Sequence, residues 1–182
     1  MQPVPENHVL RRLFRGLVDN VFCAEIGLCD PELTEYVAEL LVNFTHVDML
    51  CVVRTAEGRP LRQIADLLTH LDCGHDGVSG EEDLLVHRHI GDVALFWSGV
   101  YPEGLRRRRG LACKDQLLDY VAQGKRSYAI VSQLADADAS PPPALFSRLS
   151  REFEFCCHGL GLVRREWEQA DPAAGHDGGL LY

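Results

Sequence analysis

An all-α fold, a single domain built as a bundle of about six helices, is what this chain predicts, on three observations. Apolar residues return every three or four positions along most of its length. No run alternates apolar and polar residues long enough to read as a half-buried strand. Capping residues stand where the periodic segments begin and end.

The first helix is predicted over Val9 to Ile26, with a stripe of Leu10, Leu13, Phe14, Leu17, Val18, Val21 and Phe22. Gly27 is suited to end it in a left-handed cap. Asp30-Pro31-Glu32 then signals a start: an acceptor at the cap, a pre-set φ at the first helical position and a negative charge at the positive helix end. The second helix should run to about Cys51 on Leu33, Tyr36, Val37, Leu40, Leu41, Phe44 and Val47. Cys51-Val52-Val53 could hold a short extended piece before Glu57-Gly58-Arg59-Pro60 breaks the chain. Leu61, Ile64, Ala65, Leu68 and Leu71 give a third helix, and the glycine-rich stretch from Asp72 to Gly80 a loop.

Glu81, Glu82 and Asp83 supply the acidic first turn of a long fourth helix, limited near Tyr101 by Pro102. Arg106 to Arg109 follow its end and read as a solvated loop or as partners of local acids. The fifth helix carries Leu117, Val121, Gly124, Tyr128 and Val131, and its central glycine calls for close approach by a neighbour. Ala135 to Pro143 reads as a linker loop. A sixth helix is predicted from Phe146 through Leu149, Phe153, Cys156, Leu160 and Val163 to Trp167, at nearly heptad spacing. The domain is expected over residues 8–168, between a flexible N-terminus (1–7) and a disordered tail (169–182).

Of the 182 residues, 46% are hydrophobic and 25% charged, which are globular values that exclude collagen, coiled-coil fibre and wholesale disorder. A net charge of −9, from 27 acidic and 18 basic side chains, repels phosphate and argues against general nucleic-acid binding. No apolar run approaches the roughly 18 residues of a membrane span, and Met1 to Glu6 lacks the basic and apolar regions of a signal peptide. Seven cysteines without a CxxC spacing suggest reduced thiols, so a cytoplasmic protein is expected. Cys23, Cys156 and Cys157 lie in apolar runs, where a free cysteine acts as a small hydrophobe.

Chemistry is sparse. There is no HExxH, no paired Glu-x-x-His, no Gly-x-Ser-x-Gly elbow and no phosphate loop preceding Gly124-Lys125-Arg126-Ser127. The sequence therefore assigns no catalytic residue, metal ligand or cofactor. Val86-His87-Arg88-His89-Ile90-Gly91-Asp92-Val93 sets polar groups into an apolar helical pattern. At about 100° per residue His89 falls on the inward stripe between Val86 and Val93, while His87 points away, beside Asp83 and Ala94. Glu25, Asn43, His89 and Lys125 each fall on or beside a core-facing stripe, on four different helices. Buried charges require partners, so these four either converge as a polar pocket, with Glu25 and Lys125 as natural partners, or form a structural hydrogen-bond network, or lie on slightly misassigned stripes from which the long side chains reach solvent. A second candidate set, Trp97, Tyr101, Arg106, Arg107, Arg108 and Arg109, combines aromatic and arginine residues as interface anchors do, unless Trp97 and Tyr101 belong to the core.

Four segments, Gly27-Leu28-Cys29-Asp30-Pro31-Glu32-Leu33-Thr34-Glu35-Tyr36-Val37, Val86 to Asp92, Phe96-Trp97-Ser98-Gly99-Val100-Tyr101-Pro102-Glu103 and Gln123 to Tyr128, resemble a family of all-helical bacterial proteins without an established function. The resemblance spans most of residues 10 to 167. It implies a helical fold and carries over no site residue. Two functional expectations result: a helical module binding a protein partner or a second copy through Trp97 to Arg109, or an enzyme or sensor holding a small ligand or metal in the polar pocket.

Overall fold

A computed structural model describes residues 9–44, 53, 61, 63–72, 80–108 and 119–170, with backbone alone at 106–108 and 170. The expected flexible residues 1–7, the loop at 73–79, Arg109 and residues 171–182 of the expected tail lie outside these, as do Cys51 and Val52. Eight α-helices and one π-helical segment make up the described structure, and it contains no strand. The helices are α1 (Val9–Asn20), α2 (Pro31–Phe44), α3 (Ile64–Asp72), α4 (Gly80–Gly99), α5 (Pro102–Arg108), α6 (Tyr120–Leu134), α7 (Pro143–Arg151) and α8 (Phe153–Ala170). The π-helical segment, Val21–Ile26, continues α1 directly.

The capping signals at Asp30 and Gly27 act as read: Asp30 Oδ1 accepts the Leu33 N–H at 3.2 Å at the start of α2. Asp119, which the sequence reading did not single out, accepts the Ala122 N–H at 3.1 Å and begins α6 at Tyr120, while the expected first stripe residue, Leu117, lies outside the described residues. Gly27 closes the π-helical segment at φ 75°. Gly124 meets the close approach that its position called for: a Cβ there would lie 2.4 Å from the Phe153 ring and 2.9 Å from the Ala94 Cβ.

Three expectations are corrected. The sixth predicted helix is two, α7 and α8, separated at Glu152. The bend lets α7 pack on α6 and α2 while α8 packs on α4, α1 and the π-helical segment, which one straight rod could not do. Glu152 faces away from the apolar stripe, so periodicity passes over the break. Helix α5 occupies Pro102–Arg108, where a loop was expected, because Pro102 begins a helix as readily as it ends one. Helix α8 also extends to Ala170, taking in the first two residues of the expected tail.

Helix α4 is the centre of the bundle. It packs against α2, α3, α5, α6 and α8, and from Val86 to Gly99 most of its residues are buried. Its first turn carries three acids and reaches solvent, whereas its middle has no free face. Polar residues in that middle must find partners among the neighbouring helices.

Candidate functional site

Arg88 and Asp92 stand one turn apart on α4 and project to the same side. Facing them are Tyr36 of α2 and Tyr128 of α6, both held by the core stripes of their helices. Asp92 Oδ1 accepts two hydroxyl protons, from Tyr36 at 2.6 Å and from Tyr128 at 2.8 Å. Arg88 Nε donates to the Tyr36 oxygen at 3.2 Å, so a relay runs from guanidinium through Tyr36 to the carboxylate. The Arg88 guanidinium also lies over the Tyr36 ring (5.4 Å) and the Phe146 ring (5.7 Å). Phe146, from α7, completes the aromatic wall: its ring is 5.6 Å from that of Tyr36 and 5.9 Å from that of Tyr128.

Gly91 makes this possible. A Cβ at that position would lie 2.5 Å from Tyr128 Cε1 and 2.6 Å from Cδ1. The missing side chain lets the Tyr128 ring lie flat on α4 and brings its hydroxyl to Asp92.

The electrostatics are set by enclosure. Burial raises the Asp92 carboxyl above its usual range, outweighing the opposite pull of Arg88 and of the two tyrosine hydrogen bonds. Both tyrosines are raised well above theirs, by burial first and then by the Asp92 charge. Burial opposes the Arg88 charge, but Tyr36, Asp92 and Tyr128 overcome it and strengthen the guanidinium's hold on its proton. Protein surrounds the Asp92 carboxyl densely, yet Asp92 and Arg88 each keep part of their surface in solvent. Among the described residues, Asp92 accepts hydrogen bonds only at Oδ1 and Arg88 donates only from Nε. Asp92 Oδ2 and the two terminal guanidinium nitrogens make no hydrogen bond to another described residue.

Among the described residues, no hydrogen bond or ion pair joins Glu25, Asn43, His89 and Lys125 to one another. His89 alone is buried (6% exposed); its Nε2 has no hydrogen-bond partner among the described residues, and burial lowers its pKa to about 4. Asn43 is half-buried on α2. Lys125 pairs with Glu154 of α8, 2.7 Å to Oε1 and 3.0 Å to Oε2, and not with Glu25. Glu25 is exposed on the π-helical segment beside Glu166 of α8, whose carboxyl is raised by desolvation and then by hydrogen bonding and charge from Glu25. The expected pairing fails because the π-helical turn rotates Glu25 off the apolar stripe to a place facing α8.

The two aromatic residues of the second set find partners inside the chain. Trp97 is buried at 9% exposure, its ring against Gly104 of α5 and 6.0 Å from that of Phe96. Tyr101 is half-buried beneath Arg164 of α8, whose guanidinium lies 4.6 Å from the ring centroid. Arg164 in turn donates to the Val100 carbonyl at 2.6 Å, to Glu168 at 2.7 Å and to Glu103. Arg106, Arg107 and Arg108 lie on α5, and Arg109 is outside the described residues.

Sequence reasoning passed over Tyr36 and Tyr128 because they fill stripe positions as apolar residues would. Their hydroxyls were the missed signal: two tyrosines deep in a core require an acceptor, and Asp92 is the acid within the apolar middle of α4. Comparison of the chain with protein-family models, with curated proteins and with solved structures found no match. No helix among the described residues is long and apolar enough to cross a membrane.

Proposed function

We propose that this protein is a helical module that binds a small polar ligand at the cluster of Arg88, Tyr36, Asp92 and Tyr128. One observation carries the reading: a carboxyl drawn into the bundle and raised by enclosure, on a residue that keeps part of its surface in solvent, with Arg88 one hydroxyl away. A purely structural acceptor for two tyrosines could be a neutral amide. Charge at such a site has a use when a ligand brings its complement. The fitting ligand presents an acceptor such as a carboxylate or amide oxygen to the Arg88 terminal nitrogens. It presents a donor such as an ammonium or amide N–H to Asp92 Oδ2.

A cytoplasmic setting belongs to the same proposal, supported by free thiols at Cys23, Cys29, Cys156 and Cys157. The net charge of −9 supports a ligand other than nucleic acid. A protein-partner role centred on Trp97 and Tyr101 is the weaker proposal, since both rings already have partners within the chain.

Thermal denaturation against a panel of amino acids, small carboxylates, amides and amines tests the reading. A true ligand at about 100 times its Kd should stabilise the fold by roughly 2.7 kcal/mol, and the shift should vanish in Arg88→Met and Asp92→Asn. A panel that leaves the melting temperature unchanged, or a shift that survives both substitutions, overturns it.

A further inference from the structure

A separate feature lies at the end of the π-helical segment. Cys23 and Cys29 are both exposed, and the Cys29 thiol donates to the Cys23 carbonyl oxygen at 3.9 Å. The local backbone accounts for their approach. Gly27 turns the chain at positive φ, and the Phe22 carbonyl accepts the N–H groups of both Gly27 and Leu28, the latter at 2.8 Å. This closure returns residue 29 to the level of residue 23. Hydrogen bonding with the Cys29 thiol is the largest cause of the raised Cys23 pKa, ahead of desolvation and the charges of Cys29 and Asp19.

The other described cysteines have neither exposure nor this geometry. Cys156 is buried and Cys157 half-buried, and burial pushes both thiols up, that of Cys157 to about 12. The expectation that Cys23 would sit in the core fails, because the π-helical turn carries it outward while Val21 and Phe22 stay inside.

We propose that Cys23 and Cys29 are a reversible redox modification site that closes to a disulfide across the Gly27 turn. With hydrogen peroxide as oxidant, one sulfur attacks the O–O bond and becomes a sulfenic acid, releasing one oxygen as water. The second sulfur attacks the sulfenic sulfur, forms the S–S bond and expels the second oxygen as water. Two thiols thus lose two electrons and two protons to one peroxide, giving a disulfide and two waters. A dithiol reductant restores the pair by exchange through a mixed disulfide. In a reducing setting the resting form is the dithiol, and the bond records exposure to oxidant.

The sequence permits a direct assay on the full chain. Cleavage after glutamate separates the two cysteines, because Glu25 and Glu32 release Asn7–Glu25 with Cys23 and Ile26–Glu32 with Cys29. The protein is treated with about one equivalent of hydrogen peroxide, alkylated in denaturant without reductant, digested and weighed. Most of the two peptides should be recovered joined by a disulfide, and dithiothreitol before alkylation should return both as separate alkylated peptides. Cys29→Ser should abolish the joined product while leaving the helical circular dichroism of the folded chain unchanged, since residue 29 is exposed. The proposal is overturned if both peptides come back separate and alkylated after oxidant. It is equally overturned if either cysteine is found joined chiefly to one of the other five.

Discussion

Asp92 was visible in the sequence as an acid within an apolar helix, whereas its partners were hidden in plain residues. Tyr36 and Tyr128 satisfy an apolar stripe by their rings and a carboxylate by their hydroxyls, and one-dimensional spacing registers only the rings. His89 was read correctly as inward-facing, and its burial makes a pH prediction. The unfolded chain takes up this proton near pH 6.5, while the folded protein resists until about pH 4. The stability that neutral His89 contributes is therefore full above about pH 6.5 and is lost as pH falls towards 4, by roughly 3 kcal/mol. His87, lowered by burial, adds to the slope with the same sign. Urea unfolding between pH 7 and 4 should show this decline, and His89→Leu should flatten most of it; an equal slope in the variant would assign the effect elsewhere.

Helix positions could be read because each capping residue and each apolar stripe acts over one or two turns. Asp30 and Gly27 work at the places their chemistry indicates, whereas the cap at Asp119 was overlooked. The break at Glu152 could not be read so, since it follows from which neighbours α7 and α8 pack against, and the start of α5 could not, since Pro102 suits the beginning of a helix as well as its end. Glycines record those neighbours more faithfully than the stripes do. Gly91→Ala should force the Tyr128 ring away from α4, detach its hydroxyl from Asp92 and destabilise the protein by about 1 to 3 kcal/mol. Gly124→Ala should have an effect of the same size through the Phe153 ring and Ala94, but with the Asp92 cluster left in place. The two are distinguished by ligand-induced stabilisation, which Gly91→Ala should reduce relative to Gly124→Ala.

At the scale of the molecule, α4 runs through the middle of the bundle and brings α2, α6 and α7 to one point, where Tyr36, Tyr128 and Phe146 surround Arg88 and Asp92. The all-helical architecture followed from the sequence because periodicity is a property of each segment alone. The site did not, because it exists only where three segments distant in sequence meet. Its central property is a carboxyl whose charge enclosure in the fold opposes. The folded protein keeps the Asp92 proton to higher pH than the unfolded chain, so this group favours folding most at low pH and least at neutral pH. An amide in its place imitates the neutral form and still offers an oxygen to both tyrosines. The decisive measurement is equilibrium urea unfolding of Asp92→Asn at pH 7. A site maintained for a ligand at the expense of stability gives a midpoint equal to or above that of the unaltered protein, with the same denaturant slope. A midpoint lowered by the equivalent of about 1.5 kcal/mol or more would show that the charge itself holds the bundle together, and would contradict the assignment of the cluster as a binding site.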